Sequence, residues 1–452
     1  MSRLGPLDAG FLELEDTDQH VSAGIGVVAI LGGKPGERDA FGRELGRRVA
    51  VDDRLRQKVR RGPLDISAPV WVPDTDFDLG HHLTWAALPQ PRDEQALWQL
   101  VATTMERRLD RDHPLWHCTV VEELDGDRWA MILCAHHSMV DGVSGVSLFE
   151  RLCDPPPGVS GRAPDPPQAE TPQAQRRGLL HRATTVPAQA VRAAVAAPRV
   201  LARTALGMAP LVWNIVDPRR GSSLNGPIGR QRRYAVARVR LDDIHRVRAE
   251  FGGTVNDIAL VAVTAALRAM LLARGERPRP DTIRVLTPVS TRSANARGRL
   301  DNRVSVMLPL LPVDLADPVD QLRAVRTQLG RLKHGSETGA GQTLIALAGL
   351  VPFGPMAWTV RAALRYPQHG IAALATNVPG PTETLRLFGS DVHDLAPFAP
   401  IAMRLRLGIA MLSYRGTLCF GITGDYDSTP DTDSIARTIP AAVTTLLDRA
   451  GR

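Results

Sequence analysis

The chain has no apolar run of the roughly 18 residues that a membrane-crossing helix needs. Its start, Met1-Ser2-Arg3-Leu4-Gly5-Pro6-Leu7-Asp8, has no signal-peptide core before it turns acidic. Aromatic residues make up only 4%, too few for stacking platforms, and no nucleic-acid motif is present, so no nucleic-acid partner is expected. The four cysteines, Cys118, Cys134, Cys153 and Cys419, stand far apart with no C-x-x-C pair. Three lie in or beside apolar segments, so buried free thiols in a reducing cytoplasm are expected, rather than disulfides or metal ligands. No Walker loop and no Gly-x-Gly-x-x-Gly at a strand–helix junction offers a nucleotide cradle. Lysine is scarce, and arginine carries most of the positive side of a net charge of +7. That balance suits an anionic membrane or a phosphorylated ligand.

What is present is ample chain for two cores: 452 residues, 44% of them hydrophobic. Residues 1–152 read as a first domain. His20 to Leu31 has strand character, Ala40 to Leu55 and Glu94 to Leu109 are spaced as amphipathic helices, and Trp116 to Glu122 with Trp129 to Ala135 reads as a hairpin across Leu124-Asp125-Gly126-Asp127. Residues 153–231 read as a crossover. It is Pro-rich from Asp154 to about Pro172. Between Glu170 and Asp217 there is no acid, but six arginines: Arg176, Arg177, Arg182, Arg192, Arg199 and Arg203. Apolar residues interleave with them, and Pro187, Pro198 and Pro210 break the run into short helices. Two readings stay open: a basic amphipathic segment on an anionic lipid surface, or helices packed between domains. Residues 232–452 read as a second domain. Strands at Arg233–Leu241, Thr282–Val289, Val304–Val313, Ile371–Asn377, Leu405–Tyr414 and Thr417–Thr423 alternate with helices at Val255–Ala273, Pro318–Leu332 and Thr432–Leu447. The fold class is α/β, with mixed sheets in both halves.

One stretch organises the rest: Ala135-His136-His137-Ser138-Met139-Val140-Asp141-Gly142. Before it runs an apolar segment of strand length, Arg128 to Cys134, and after it the helix-spaced run Val143 to Leu152. Two histidines thus end a buried strand on the turn into a helix, where a ring nitrogen can be held facing a cleft. Gly142 allows a backbone or a ligand to come close. His81-His82 serves as an internal control: it has no Asp-Gly at the matching offset and is read as structural.

Further stretches complete a set: Leu109-Asp110-Arg111-Asp112-His113-Pro114-Leu115-Trp116, Gly253-Thr254-Val255-Asn256-Asp257, Thr287-Pro288-Val289-Ser290-Thr291-Arg292, and Thr376-Asn377-Val378-Pro379-Gly380-Pro381. Together with His-His-x-x-x-Asp-Gly they resemble the bacterial wax ester synthase/acyl-CoA:diacylglycerol acyltransferase family, over nearly the whole chain from Leu7-Asp8-Ala9-Gly10-Phe11-Leu12 onward. Ser138 and His117 depart from the residues common at their positions in that family. The resemblance implies two domains of the chloramphenicol-acetyltransferase type with a tunnel between them. It implies acyl-CoA as co-substrate, no resident cofactor, diacylglycerol or a long-chain alcohol as acceptor, and a cytoplasmic enzyme lying on the inner membrane face or on lipid droplets. It makes His137 the general base and His136 its support.

An alcohol is a poor nucleophile at neutral pH, and a neutral imidazole suits the task of activating it. His137 and Asp141 stand four apart, which on a helix would put them on one face. The resemblance instead implies that Asp141 pairs with an arginine of the second half, for which Arg292 is the candidate. Asn256, a side-chain amide at a helix start, could donate to the oxyanion or simply cap the helix. Pro114, Leu115, Trp116 and Asp257 read as scaffold. Basic residues must meet the CoA phosphates, and the sequence does not choose among them. Two alternatives remain: a related condensing or polyketide-ester acyltransferase using a carrier-protein thioester, and a non-catalytic lipid-surface protein of the same fold.

Overall fold

A computed structural model describes residues 2–62, 67–155, 222–290, 304–334, 361 and 368–451. Most of the expected crossover, including all six arginines, and Arg292 lie outside the described residues.

The chain opens with α1 (Pro6–Thr17). Pro6 holds the first helical position, and Asp8 accepts the Gly5 N–H at 3.2 Å, so the helix starts where its chemistry favours starting. Then follow β1 (Gly24–Gly32), α2 (Arg38–Val51), β2 (Leu83–Ala86), α3 (Glu94–Glu106), β3 (Trp116–Leu124), β4 (Arg128–His136) and α4 (Gly142–Leu152). The second half supplies β5 (Arg232–Arg240), α5 (Leu241–Phe251), α6 (Val255–Ala273), β6 (Ile283–Ser290), β7 (Val304–Met307), β8 (Leu310–Leu311), α7 (Pro318–His334), β9 (Ala373–Val378), β10 (Ser390–Phe398), β11 (Leu407–Tyr414), β12 (Thr417–Asp425) and α8 (Thr432–Ala450). The expected strand Val304–Val313 is two strands because Pro309 interrupts it.

These strands form two mixed sheets. One runs β7-β6-β9-β11-β12-β5, with β8 also on β6; the β6–β9 and β9–β11 pairs are parallel. The other runs β10-β1-β4-β3-β2, flanked by the short strand Arg386–Leu387. Here only β2 and β3 are parallel. Thus β10, from the half expected at 232–452, is a strand of the sheet built on the first half, the first sheet (the other being the second), with Ala396 opposite Val28. Residues 1–154 and 218–452 make one unit. Sequence periodicity sees β10 as a strand but has no means of naming its partner. Where β10 passes the second sheet, a Cβ on Gly421 would stand 1.7 Å from the Pro397 carbonyl oxygen. Only glycine fits there.

Three large apolar cores hold this together, beside a small cluster of Val21, Ile228 and Ile401. One joins α6 and α8 to the second sheet, through residues such as Ile258, Leu267, Ile409, Phe420 and Leu446. The second lies under α2 and α4, with Phe41, Leu45, Trp116, Trp129 and Phe149. The third joins the sheets, since Val28, Ile132 and Cys134 pack with Tyr234, Phe398 and Cys419. All four cysteines are buried free thiols. By length and composition α6 could cross a membrane, with a mean hydropathy of 1.7, contrary to the expectation that no segment would pass that test. Two-thirds of its apolar window is buried in the first of these cores, which is reason enough for its composition.

Candidate active site

The register of β4 places the two histidines. His136 is its last residue, opposite Gly24 of β1, and its N–H donates to the Leu115 carbonyl at 2.9 Å. The His137 N–H donates to the Ala23 carbonyl, also at 2.9 Å. One histidine is therefore tied to the strand on each side. The chain then turns, with the Met139 N–H on the His136 carbonyl at 2.8 Å, and enters α4.

Asp141 is the N-cap of α4. Its Oδ1 accepts the Ser144 N–H and the Ser144 hydroxyl, both at 2.8 Å, while the Asp141 N–H donates back to Ser144 Oγ at 2.9 Å. His137 lies before the helix, so the four-residue spacing of His137 and Asp141 does not put them on one helix face, in line with the reading that set that arrangement aside. The reason is the cap itself: an N-cap carboxylate satisfies helix N–H groups that would otherwise be orphaned. The expected partner Arg292 lies outside the described residues.

Helix α1 provides what sequence reasoning missed. Phe11 stacks face to face on the His137 ring, with centroids 3.9 Å apart and planes 12° from parallel. One turn later, Glu15 Oε2 stands 3.6 Å from His136 Nε2, with both side chains 1% exposed. Residues four apart share a helix face, so α1 meets both histidines with consecutive turns. Glu15 also accepts the Ala23 N–H at 3.0 Å and Arg111 Nη2 at 2.6 Å. Burial alone would raise its pKa, but the interaction with the His136 ring, the Ala23 N–H and Arg111 outweigh that and hold it down to about 2. Ser138 fixes the other side of His136: its N–H donates to Nδ1 at 3.0 Å, with Oγ at 2.8 Å. Nδ1 thus accepts, which leaves the proton on Nε2, toward Glu15. A sequence signal for this helix exists. Pro6 and Asp8 sit at starting positions, and Glu13 and Glu15 interrupt an apolar run as acids bound for buried partners. Arg361 binds Glu13, and Arg111 Nη1 reaches Asp16 at 2.6 Å.

His137 is half-buried. Protein displaces enough of its water to disfavour the imidazolium and lower its pKa to about 4, although the Asp141 charge pulls the other way. The ring is neutral at physiological pH. Cys134 lies two residues before His136, but burial pushes its thiol up to about 12, which sets it aside as a nucleophile.

Pro114, Leu115 and Trp116 are fully packed scaffold. Trp116 is 1% exposed, pairs with Ala135 across β3–β4, and donates Nε1–H to the Leu55 carbonyl at 2.8 Å. Its other face carries His82, stacked at 4.5 Å. Asn256 is not the cap of α6. Thr254 is, in a capping box with Asp257: the Thr254 N–H donates to Asp257 Oδ2 at 2.8 Å and the Asp257 N–H to Thr254 Oγ1 at 3.2 Å. That leaves the Asn256 amide for other work. Asn377 Nδ2 donates to its Oδ1 at 3.3 Å. The next residue, Val378, abuts Gly142, where an added Cβ would stand 2.7 Å from Val378 Cγ2. Gly142 therefore admits a side chain of the second half beside the histidines. The end of β9 links the start of α4 to the start of α6.

The model of the wax ester synthase/diacylglycerol acyltransferase catalytic domain matches residues 4–259, and that of the WS/DGAT C-terminal domain residues 300–446. The chain belongs to this family of acyltransferases. It is 43% identical over 449 residues to the protein named "Probable diacyglycerol O-acyltransferase tgs1" of Mycobacterium tuberculosis, spanning 99% of this chain and 96% of that one. The solved wax ester synthase/diacylglycerol acyltransferase of Marinobacter aquaeolei VT8 shares its fold, with a TM-score of 0.71 at 24% identity and full coverage of both chains. The first condensation domain of the CDA synthetase shares it too, with a TM-score of 0.60 at 15% identity over 99% of this chain and 96% of that one. Within the family frame, α1, the histidines and Asn256 fall in the catalytic-domain match, while Asn377 and Val378 fall in the C-terminal match. Residues of both matches thus meet around α4.

Proposed function

We propose that this chain transfers a fatty acyl group from acyl-CoA to the free hydroxyl of diacylglycerol, and to long-chain alcohols, with His137 as general base. The observation that carries the reading is a neutral imidazole at a strand end, stacked on Phe11 and flanked by a rigidly held neighbour histidine.

His137 takes the proton of the acceptor hydroxyl as that oxygen attacks the thioester carbonyl. The new C–O bond gives a tetrahedral oxyanion. The Oδ1 of Asn256 is engaged by Asn377, so its NH2 remains to donate to that oxyanion, a contact worth about 3 kcal/mol in comparable sites. The C–S bond then breaks, and the imidazolium of His137 protonates the leaving thiolate. The products are the ester and free CoA, and no acyl-enzyme forms.

Both substrates partition to lipid, so the enzyme works on a membrane or lipid-droplet surface on the cytoplasmic side. The sequence between Glu170 and Asp217 supports this, with six arginines and no acid. Each basic residue near an anionic surface contributes about 1 kcal/mol.

The test is product formation by purified protein given radiolabelled palmitoyl-CoA with diolein or hexadecanol, separated by thin-layer chromatography. Triacylglycerol and wax ester are expected, and both should vanish in His137→Ala. Transfer from an acyl-carrier protein but not from acyl-CoA would overturn the donor assignment.

A further inference from the structure

We propose that Phe11 is a positioning residue for the reaction: its ring, stacked on His137, fixes the plane of the imidazole and stabilises the positive charge that forms there. This rests on the assignment of His137 as base.

His136 is tied through its nitrogens, to Ser138 on one side and toward Glu15 on the other. A general base must keep a nitrogen lone pair aimed at the acceptor, and the ring torsion of histidine is broad and soft. A parallel phenyl face at 3.9 Å and 12° restricts that torsion while touching only the face of the ring. The lone pair lies in the ring plane, so the stack consumes neither nitrogen. As the proton arrives, an imidazolium lies over a phenyl face, an arrangement that favours the charged form. The same ring keeps water from one side of the base.

Phe11 can do this because α1 is anchored independently of it. Glu13 is bound by Arg361 and lies 3.4 Å from Arg61, and Glu15 and Asp16 are each 2.6 Å from Arg111. These contacts lock the rotation of α1 about its axis. Phe11 and Glu15, four apart, then face the two histidines together.

The test compares Phe11→Leu and Phe11→Tyr in the full chain, each with and without His137→Ala. Leucine keeps an apolar side chain but has no π face; tyrosine keeps the face. Phe11→Leu should lower kcat about tenfold, with KM for both substrates within about twofold. Phe11→Tyr should restore the rate. In the His137→Ala background Phe11→Leu should cost nothing further. The His137 ring-proton resonances, shielded by the phenyl ring current, should move downfield in Phe11→Leu. Unchanged kcat in Phe11→Leu overturns the proposal. So does a loss confined to KM, a loss that tyrosine does not repair, or an equal loss without His137. If His137→Ala itself keeps its rate, the base assignment falls and the positioning role falls with it. If only the Phe11 variants behave like wild type, the base assignment stands alone.

Discussion

The chain contains two His-His pairs, one just before β2 and one at the end of β4, and they have opposite fates. His82 is 2% exposed. Both of its faces are covered, by Trp116 at 4.5 Å and Phe77 at 5.1 Å, and its Nδ1 is bonded to the Trp116 carbonyl at 2.8 Å. His137 is stacked by Phe11 and stays partly exposed at a turn. Burial lowers the pKa of both rings. A depressed pKa therefore does not distinguish the proposed base from the packed histidine; the partial exposure of His137 does. Trp116 serves both, carrying His82 on one face while its strand neighbour Leu115 ties His136.

The contrast is sharpest in the rates. His137→Ala should cost acyl transfer at least about a hundredfold, the usual effect of a general base. His82→Leu should leave kcat within a few-fold and lower stability by about 2 kcal/mol, through the lost hydrogen bond and stacking. Steady-state kinetics and thermal melts on both variants check this; equal rate losses would erase the distinction.

Glu15→Gln attacks the supports of the reactive pair alone. The carboxylate has a folded pKa of about 2 against an ordinary 4.5. Its stabilisation is thus fully present above about pH 4.5 and lost as pH falls toward 2, in total about 3 kcal/mol. The wild-type melting temperature should fall in that window, and the variant's should start lower and fall less. Parallel curves would show that Glu15 does not stabilise the fold by this route.

Gly142→Ala should destabilise by about 1 to 3 kcal/mol, since its Cβ would meet Val378, and should slow transfer by moving the end of β9. Val378→Ala in the same chain should restore part of both. No restoration would place the clash elsewhere. Ser138→Ala is the mildest change. It removes the hydroxyl but keeps the N–H bond to His136 Nδ1, so about 1 kcal/mol is at stake and the rate should fall less than about tenfold.

The sequence was most legible where the signal is local. Val255–Ala273 and the β3–β4 hairpin follow from periodicity and turn residues. His136, His137, Gly142 and the scaffold of Pro114, Leu115 and Trp116 fall where their motifs suggest. What stayed hidden was tertiary. Phe11 and Glu15 are separated from the histidines by about 120 residues of chain, and no spacing rule joins them. Ser390–Phe398 alternates well enough for a strand, but its pairing with β1 is decided by the meeting of two sheets. Asn256 read as either a cap or a donor because Thr254, two residues earlier, is an equally good cap; coordinates decide which residue takes the position.

The central claim is that His137 is a neutral base because the protein takes enough water from its ring to disfavour the imidazolium. The pH dependence of kcat/KM for palmitoyl-CoA and diolein, with the folded fraction followed by circular dichroism at each pH, tests it most directly. Imidazole is competent above its pKa and incompetent below it, so the account predicts that activity persists through pH 6.5 and its acid limb falls toward 4. An acid limb at 6.5 or above in folded protein would contradict it.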